Sequence, residues 1–150
     1  MVYNRLKLKI SSILIIGLIL SFSLIAGKIN YGNVKAYFIK NYDGDTITVN
    51  IPDYPPIIGK KISIRVNGID TPELRTKSSK EKQSARTAKR LVNSLLKKAK
   101  EIELKNIQRG KYFRIVADVY YDGKNLADIL MKNNLAVPYG GGTKTKDWSK

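Results

Sequence analysis

Two residue types that catalytic sites often use are missing from this sequence. Its 150 residues include no cysteine and no histidine. Without cysteine the chain has no disulfide scaffold, no thiolate zinc site and no cysteine nucleophile. Without histidine it has no imidazole general base, no Ser-His-Asp triad and no histidine-bound metal. Any chemistry must therefore use carboxylates, Arg, Lys, Tyr and hydroxyl groups, or a metal held by oxygen ligands.

Acidic residues are also scarce. The chain has 12 Asp and Glu against 28 Lys and Arg, which gives a net charge of +16 and a pI near 10.0. This balance favours a polyanionic partner, namely a nucleic acid, an anionic membrane or an acidic polymer. The length predicts one domain with, at most, a short appended segment.

The first 27 residues have the pattern of a targeting segment. Arg5, Lys7 and Lys9 precede an uncharged apolar run over 13–27, as in a secretory signal. The run is shorter than the roughly 20 residues of a comfortable membrane span. The sequence predicts an exported protein that is secreted, periplasmic or at the cell surface. Residues 1–27 are then a cleaved signal peptide, or residues 10–27 remain as a membrane tether.

The other end of the chain is rich in glycine and lysine. Residues 140–150 begin with three glycines and contain three lysines, a composition typical of a flexible basic tail. The compact domain is therefore predicted over 30–139, which is long enough for one modest core.

Hydrophobic periodicity predicts the order of the elements in that domain. Ile47, Val49 and Ile51 alternate with polar residues, as in a half-buried strand. Ser78 and Glu81 form a capping box at a helix start. The predicted strands are 33–40, 45–51, 61–69, 101–107 and 112–121, the predicted helices are 79–100 and 125–133, and 135–139 is extended. Five strands with a helix after the third predict an α+β, mainly β, OB-fold barrel with a short C-terminal helix.

Four of the 12 carboxylates lie in two short segments. Asp43 and Asp45 flank a glycine, and Asp70 and Glu73 belong to an Asp-Thr-Pro-Glu sequence. Clustered carboxylates repel each other unless a cation joins them, and Ca²⁺ or Mg²⁺ selects such oxygen ligands. Taken one at a time, the first segment is also typical of a hairpin turn and the second of a helix start.

Three motifs follow one another along the chain. They are Asp43-Gly44-Asp45-Thr46, then Arg65 followed after four residues by Asp70-Thr71-Pro72-Glu73, then Lys111-Tyr112-Phe113-Arg114. With these motifs the sequence resembles the staphylococcal nuclease family, also called the thermonuclease or micrococcal nuclease family, over about residues 35–140. The resemblance implies a nuclease-type OB-fold domain.

The resemblance also implies a metal site and a group that acts on water. Asp45 and Asp70 would be direct Ca²⁺ ligands, and the Thr71 carbonyl would be a third. Asp43 would contact the ion through water. Glu73 would orient the attacking water and, as general base, take its proton. A carboxylate is ionised at neutral pH, so this base requires no histidine.

For the substrate, the resemblance implies two phosphate clamps and three further contacts. Arg65 and Arg114 would hold the scissile phosphate, since guanidinium groups suit bidentate phosphate contacts. Lys111 and Tyr112 would contact the terminal phosphate of the nucleotide. Tyr139 would lie beneath the base.

The third motif departs from the family pattern at two positions. Gly110 stands where an Asp is usual, and Phe113 stands where a Gly usually precedes the second arginine. Phe113 replaces a flexible position next to Arg114 and would narrow the nucleotide pocket.

These features together predict an exported, Ca²⁺-dependent, sugar-nonspecific nuclease. It would act as a monomer on DNA and RNA, prefer single strands without sequence specificity, and leave 3′-phosphates. One alternative is a non-catalytic, nuclease-like OB-fold module that binds single-stranded nucleic acid at the cell surface. A basic protein that coats anionic membranes would account for the charge but not for the carboxylate motifs.

Overall fold

The computed structural model describes residues 30–150. The predicted targeting segment over 1–27, with its possible tether at 10–27, lies outside these residues. Within the described part of the chain, no helix has both the length and the apolar character needed to cross a membrane.

The described residues form short strands and three helices. The strands are β1 (Val34–Lys35), β2 (Tyr37–Asn41), β3 (Thr46–Asn50), β4 (Ile62–Val66), β5 (Ile69–Asp70), β6 (Ile102–Arg109), β7 (Ile115–Tyr121), β8 (Lys124–Asn125) and β9 (Val137–Pro138). The helices are α1 (Pro56–Gly59), α2 (Ser79–Lys98) and α3 (Leu126–Lys132), and a tight turn covers Lys111–Phe113.

The main sheet closes on itself through one bent strand. Its order is β1-β6-β7-β4-β3-β2, with β8 beside β7, and only β4 and β7 are parallel. β1 and β2 lie at opposite edges of the sheet, yet only Ala36 separates them in the chain. Counting β1 with β2, the barrel has five long strands and α2 follows the third. This confirms the predicted α+β OB-fold.

The barrel is filled by the apolar half of each alternating strand. Ile47 and Val49 on β3 and Ile64 on β4 are fully buried, and burial of each such side chain contributes about 1.5–3 kcal/mol. Helix α2 adds one apolar stripe, with Ala88 and Val92 buried. Because the inward positions are apolar, the polar side chains that alternate with them project from the other face of the strands.

Helix α2 begins as predicted and ends two residues early. The Ser78 hydroxyl accepts a hydrogen bond from the Glu81 amide (3.2 Å) and caps the first turn. At the other end, Ala99 turns to an extended conformation. The amides of Lys100 and Glu101 then donate to the Asp122 carboxylate, at 2.9 and 3.0 Å. These bonds replace further helical turns.

Two predicted strands are shorter than the periodicity indicated. The strand predicted over 61–69 stops at Val66, because Asn67 and Gly68 form a turn in which Gly68 has a φ of 76°. β5 then leaves the main sheet and pairs with β9. The strand predicted over 112–121 begins only at Ile115, because residues 111–113 form a tight turn in which Tyr112 and Phe113 have a positive φ.

Candidate active site

The carboxylate segments meet at one end of the barrel. The turn between β2 and β3 carries Asp43 and Asp45, β4 carries Arg65, and Asp70 ends β5. In the β3–β4 register Thr46 is opposite Arg65, so Asp45 and Arg65 lie side by side. The first two motifs, which are separate in the sequence, therefore supply groups to one place.

A buried asparagine ties the Asp-Gly-Asp turn to helix α2. Asn41 is only 4% exposed. Its side-chain amide donates to the carbonyls of Asp43 (2.7 Å) and Lys89 (3.0 Å), and its oxygen accepts from Asn93 (3.2 Å). These bonds hold the turn against the helix. Sequence reasoning missed this positioning residue, because its partners on α2 are about fifty residues away.

Gly44 occupies a position where a side chain has no room. A Cβ atom there would lie 2.9 Å from Ala88 Cβ and 3.0 Å from Thr71 Cγ2. We expect Gly44→Ala to lower the free energy of unfolding by about 1–3 kcal/mol, as overpacked sites do, and to displace the neighbouring aspartates. Denaturant unfolding measures the change. Gly142→Ala is the control, since its Cβ would meet no atom within 4 Å; equal stabilities of the two variants would contradict this packing.

The aspartates of the cluster are buried and crowded. One oxygen of Asp45 accepts hydrogen bonds from the Thr71 hydroxyl (2.9 Å) and amide (3.2 Å), and Asp45 also forms an ion pair with Arg65. Asp43 accepts from the Asp45 amide at 3.2 Å. Asp70 is 2% exposed, and its Oδ1 atom has no hydrogen-bond partner. Its only polar neighbours are cations, since that oxygen lies 3.8 Å from an Arg65 nitrogen and 2.9 Å from Lys144 Nζ.

The crowding changes how these groups bind protons. Burial raises the pKa of Asp43 above its usual value; a hydrogen bond with Thr46 opposes this shift and the charge of Glu73 adds to it. Burial lowers the pKa of Arg65; the charge of Asp70 opposes this shift and the like charge of Arg114 adds to it. Both directions indicate that the groups of the site are poorly solvated, because burial disfavours the charged form of each.

The loop that carries Glu73 is held by the first turn of α2. The Glu81 carboxylate accepts a hydrogen bond from the Glu73 amide (3.1 Å) and one from the Thr76 hydroxyl (2.6 Å). In the capping box predicted from sequence, this carboxylate would turn back to its own helix end. Instead it positions the backbone of Glu73, whose side chain stays 48% exposed.

The C-terminal tail supplies a cation to the cluster. Lys144 Nζ lies 2.6 Å from a Glu73 oxygen and 2.9 Å from Asp70 Oδ1. The Trp148 indole donates to the other Asp70 oxygen at 3.4 Å. Burial lowers the pKa of Lys144, but its bonds to Glu73 and Asp70 outweigh burial and raise it. The contacts of Lys144 with Glu73 and Asp70 were not predicted from the composition of the tail. The flexibility of the tail stays a prediction.

A basic cavity of about 670 Å³ opens beside the cluster. Arg65, Lys111, Arg114 and Tyr139 all line it, together with Arg109, which the sequence did not single out. The structure thus brings most of the predicted substrate contacts together. Tyr112 is different, because it is 93% exposed and does not line the cavity.

The donor set fits a hard divalent cation. Among residues 30–150, no three or more acidic, histidine or cysteine side chains are gathered as a metal cluster. The available donors are the carboxylates of Asp45 and Asp70, with Thr71 next to them. Ca²⁺ takes oxygen ligands and completes its shell with water. The buried Asp70 Oδ1 atom, whose near neighbours are the ammonium of Lys144 and the guanidinium of Arg65, is consistent with a position that accepts a cation.

The fold and the site define a class: an OB-fold domain with buried carboxylates and arginines beside a basic cavity. The family model described as staphylococcal nuclease homologue matches residues 63–148. Since this is more than half of the chain, the protein belongs to that family. The match includes Arg65, Asp70 and Glu73 and begins after the Asp43–Asp45 turn.

One relative gives a more detailed comparison. The chain is 35% identical over 96 residues to the protein named Endonuclease YncB of Bacillus subtilis (strain 168). The aligned region covers 63% of this chain and 43% of the relative. The chain therefore spans less than half the length of that protein.

Proposed function

We propose that this protein is a Ca²⁺-dependent nuclease that hydrolyses phosphodiester bonds of DNA and RNA and leaves 3′-phosphates. The observation that carries the proposal is the buried Asp70 carboxylate, whose Oδ1 atom contacts only the cations Lys144 and Arg65, next to a cavity lined by Arg65 and Arg114. Family membership and the name of the Bacillus relative support a nuclease.

Each group has one task in the proposed reaction. Asp45, Asp70 and the Thr71 carbonyl would hold Ca²⁺, and the bound ion would supply positive charge to the phosphoryl oxygens. Arg65 and Arg114 bind and neutralise the same phosphate. Glu73 accepts the proton of the attacking water, whose oxygen forms the new bond to phosphorus. The bond from phosphorus to the 5′ oxygen breaks and that oxygen takes a proton from solvent water, which leaves a 3′-phosphate and a 5′-hydroxyl.

Metal removal tests the central claim. We expect the full chain to degrade single-stranded DNA and RNA in Ca²⁺ and to lose this activity in excess chelator, with recovery when Ca²⁺ is returned. End-group analysis should find 3′-phosphates. Cleavage that continues unchanged in chelator would contradict the calcium requirement, and 5′-phosphate products would contradict the assigned bond.

The contact of Lys144 leads to a prediction about calcium affinity. Its ammonium must leave Asp70 and Glu73 when Ca²⁺ binds, so Lys144→Met should bind Ca²⁺ about 2- to 5-fold more tightly, the range of a partly exposed ion pair. Trp148 is the single tryptophan of the chain and its indole contacts Asp70, so its fluorescence reports the titration.

Lys150→Met is the matched control for that titration. It removes the same charge from the tail, but Lys150 pairs with Asp147 rather than with the cluster. Equal Ca²⁺ affinities of the two variants would show that Lys144 does not compete for the cation position.

We also propose that the protein is exported, acts as a monomer and prefers single strands without sequence specificity. The basic, apolar pattern of residues 1–27 supports export, and the excess of Lys and Arg supports phosphate contacts without base readout. Amino-terminal sequencing of protein recovered outside the cell distinguishes a cleaved signal from a retained tether. Protein found only in the cytoplasm would contradict export.

A further inference from the structure

Two adjacent aromatic residues at the edge of the basic cavity are exposed to solvent. Tyr112 is 93% exposed and Phe113 is 84% exposed. Both also have a positive φ, 57° and 55°, a region that bulky residues rarely adopt. Exposure of an apolar ring and a left-handed backbone are each unfavourable. Their combination at one turn points to a function outside the folding of the domain.

The turn is held in this conformation by specific bonds. The Gly110 amide donates to the Arg114 carbonyl (2.7 Å), and the Arg114 amide donates to the Lys111 carbonyl (3.2 Å). A guanidinium nitrogen of Arg109 donates to the Phe113 carbonyl at 2.8 Å. A Cβ on Gly110 would lie 2.7 Å from a Val116 methyl, so the turn needs glycine there. The hydrogen-bonded turn therefore fixes the backbone that carries both aromatic rings.

Positive charge surrounds the Phe113 ring. The segment 109–114 contains Arg109, Lys111 and Arg114 and no acidic residue. The Arg109 guanidinium lies 5.9 Å from the centre of the Phe113 ring, within range of a cation–π contact. Arg109, Lys111 and Arg114 line the cavity, whereas Phe113 does not. The ring is thus next to the phosphate-binding groups but outside the pocket they form.

We propose that Phe113 is a stacking platform for an unpaired base of a single-stranded nucleic acid that continues out of the cavity. Arg109 and Lys111 would bind the adjoining phosphates. Single-strand sites combine a basic surface with aromatic faces in this way, and a duplex keeps its base faces covered. The proposal rests on the proposed function only in taking a nucleic acid as the ligand, and it names Phe113 as the residue that selects single strands.

The test measures binding without cleavage. Full-length protein in excess chelator is titrated, by fluorescence anisotropy, into a labelled oligothymidylate and into an abasic sugar-phosphate of equal length. Both ligands carry the same number of phosphates, so their affinity ratio isolates base stacking. We expect the wild type to bind the oligothymidylate about 5- to 100-fold more tightly, the range that one stacked base provides.

Variants of Phe113 test whether its ring causes the difference in affinity between the two ligands. Phe113→Asn should lose most of the preference for the oligothymidylate over the abasic ligand. Its affinity for the abasic ligand should be unchanged, because asparagine tolerates a positive φ and keeps the turn. Phe113→Trp should retain the preference. Tyr37→Ala is the matched control, since Tyr37 is 65% exposed on β2 and away from the turn, and its ratio should equal that of the wild type.

Three outcomes would overturn the proposal. They are a wild-type ratio near one, a ratio that Phe113→Asn leaves intact, and equal losses for both ligands in that variant. Binding to phosphatidylserine vesicles that Phe113→Asn abolishes, with oligonucleotide affinity unchanged, would assign the ring to a lipid surface instead. Cleavage in Ca²⁺ is scored separately on the same protein, so a failed stacking test and a failed nuclease assignment are distinguishable.

Discussion

Replacing Glu73 with Gln should lower the rate of DNA cleavage about 10²- to 10⁴-fold, the range typical of losing a general base. The amide has nearly the shape of the carboxylate but does not accept the proton of the attacking water. The Glu73 backbone is held by Glu81, so the loop should keep its position. Single-turnover cleavage of a labelled single-stranded oligonucleotide at saturating Ca²⁺ measures the effect.

Glu101→Gln is a closely matched control for this substitution. The side chain of Glu101 is 50% exposed and pairs with Lys35, while that of Glu73 is 48% exposed and pairs with Lys144. Both substitutions therefore remove one half-exposed ion pair, and only one of them is at the site. A Glu73→Gln protein that is folded, binds Ca²⁺ and cleaves like the wild type would exclude Glu73 as the base.

Replacing Arg65 with Gln should have two large effects. The cleavage rate should fall about 10²- to 10³-fold, as when one transition-state donor is lost. In chelator the protein should also become less stable by about 3–5 kcal/mol, because the buried Asp45 and Asp70 lose the charge paired with them. Saturating Ca²⁺ should restore part of this stability, about 2.7 kcal/mol at a concentration 100 times the dissociation constant.

Arg114→Gln separates the two effects. Arg114 lines the same cavity but is exposed to solvent, so its loss should lower the rate and leave the free energy of unfolding in chelator near the wild-type value. Urea unfolding with and without Ca²⁺ gives both stabilities. If Arg65→Gln were equally destabilised at every Ca²⁺ concentration, the cation would not be bound among these carboxylates.

The barrel could be predicted because its strands carry local patterns. Ile47 and Val49 alternate with polar residues, and the core residues of α2 recur at helical spacing. In each element this pattern predicts both the secondary structure and the face that is buried. The order of strands and helix then allows few topologies, and the OB-fold was confirmed. The boundaries at Val66 and Ile115 were wrong, because Gly68, Tyr112 and Phe113 adopt positive φ values that periodicity does not reveal.

The candidate site was predictable only in part. The motifs place Asp45, Arg65 and Asp70 at or near the ends of elements, and the β3–β4 register brings Asp45 and Arg65 together. Their roles in catalysis and calcium binding stay predictions. The contributions of Asn41 and Glu81 were not predicted, because each uses an ordinary polar side chain to hold a loop.

The local sequence was sufficient to predict the helices and strands, their buried faces and the chemical groups available for a site. These features depend on residues that are close along the chain. Contacts between distant residues were decided by the tertiary structure. Lys144 meets Glu73 across 71 positions, and the Asp45 carboxylate meets Thr71 across 26 positions. Only the path of the chain around the barrel determines which charges approach each other, and it places the buried Asp45 and Asp70 beside Arg65 and Lys144.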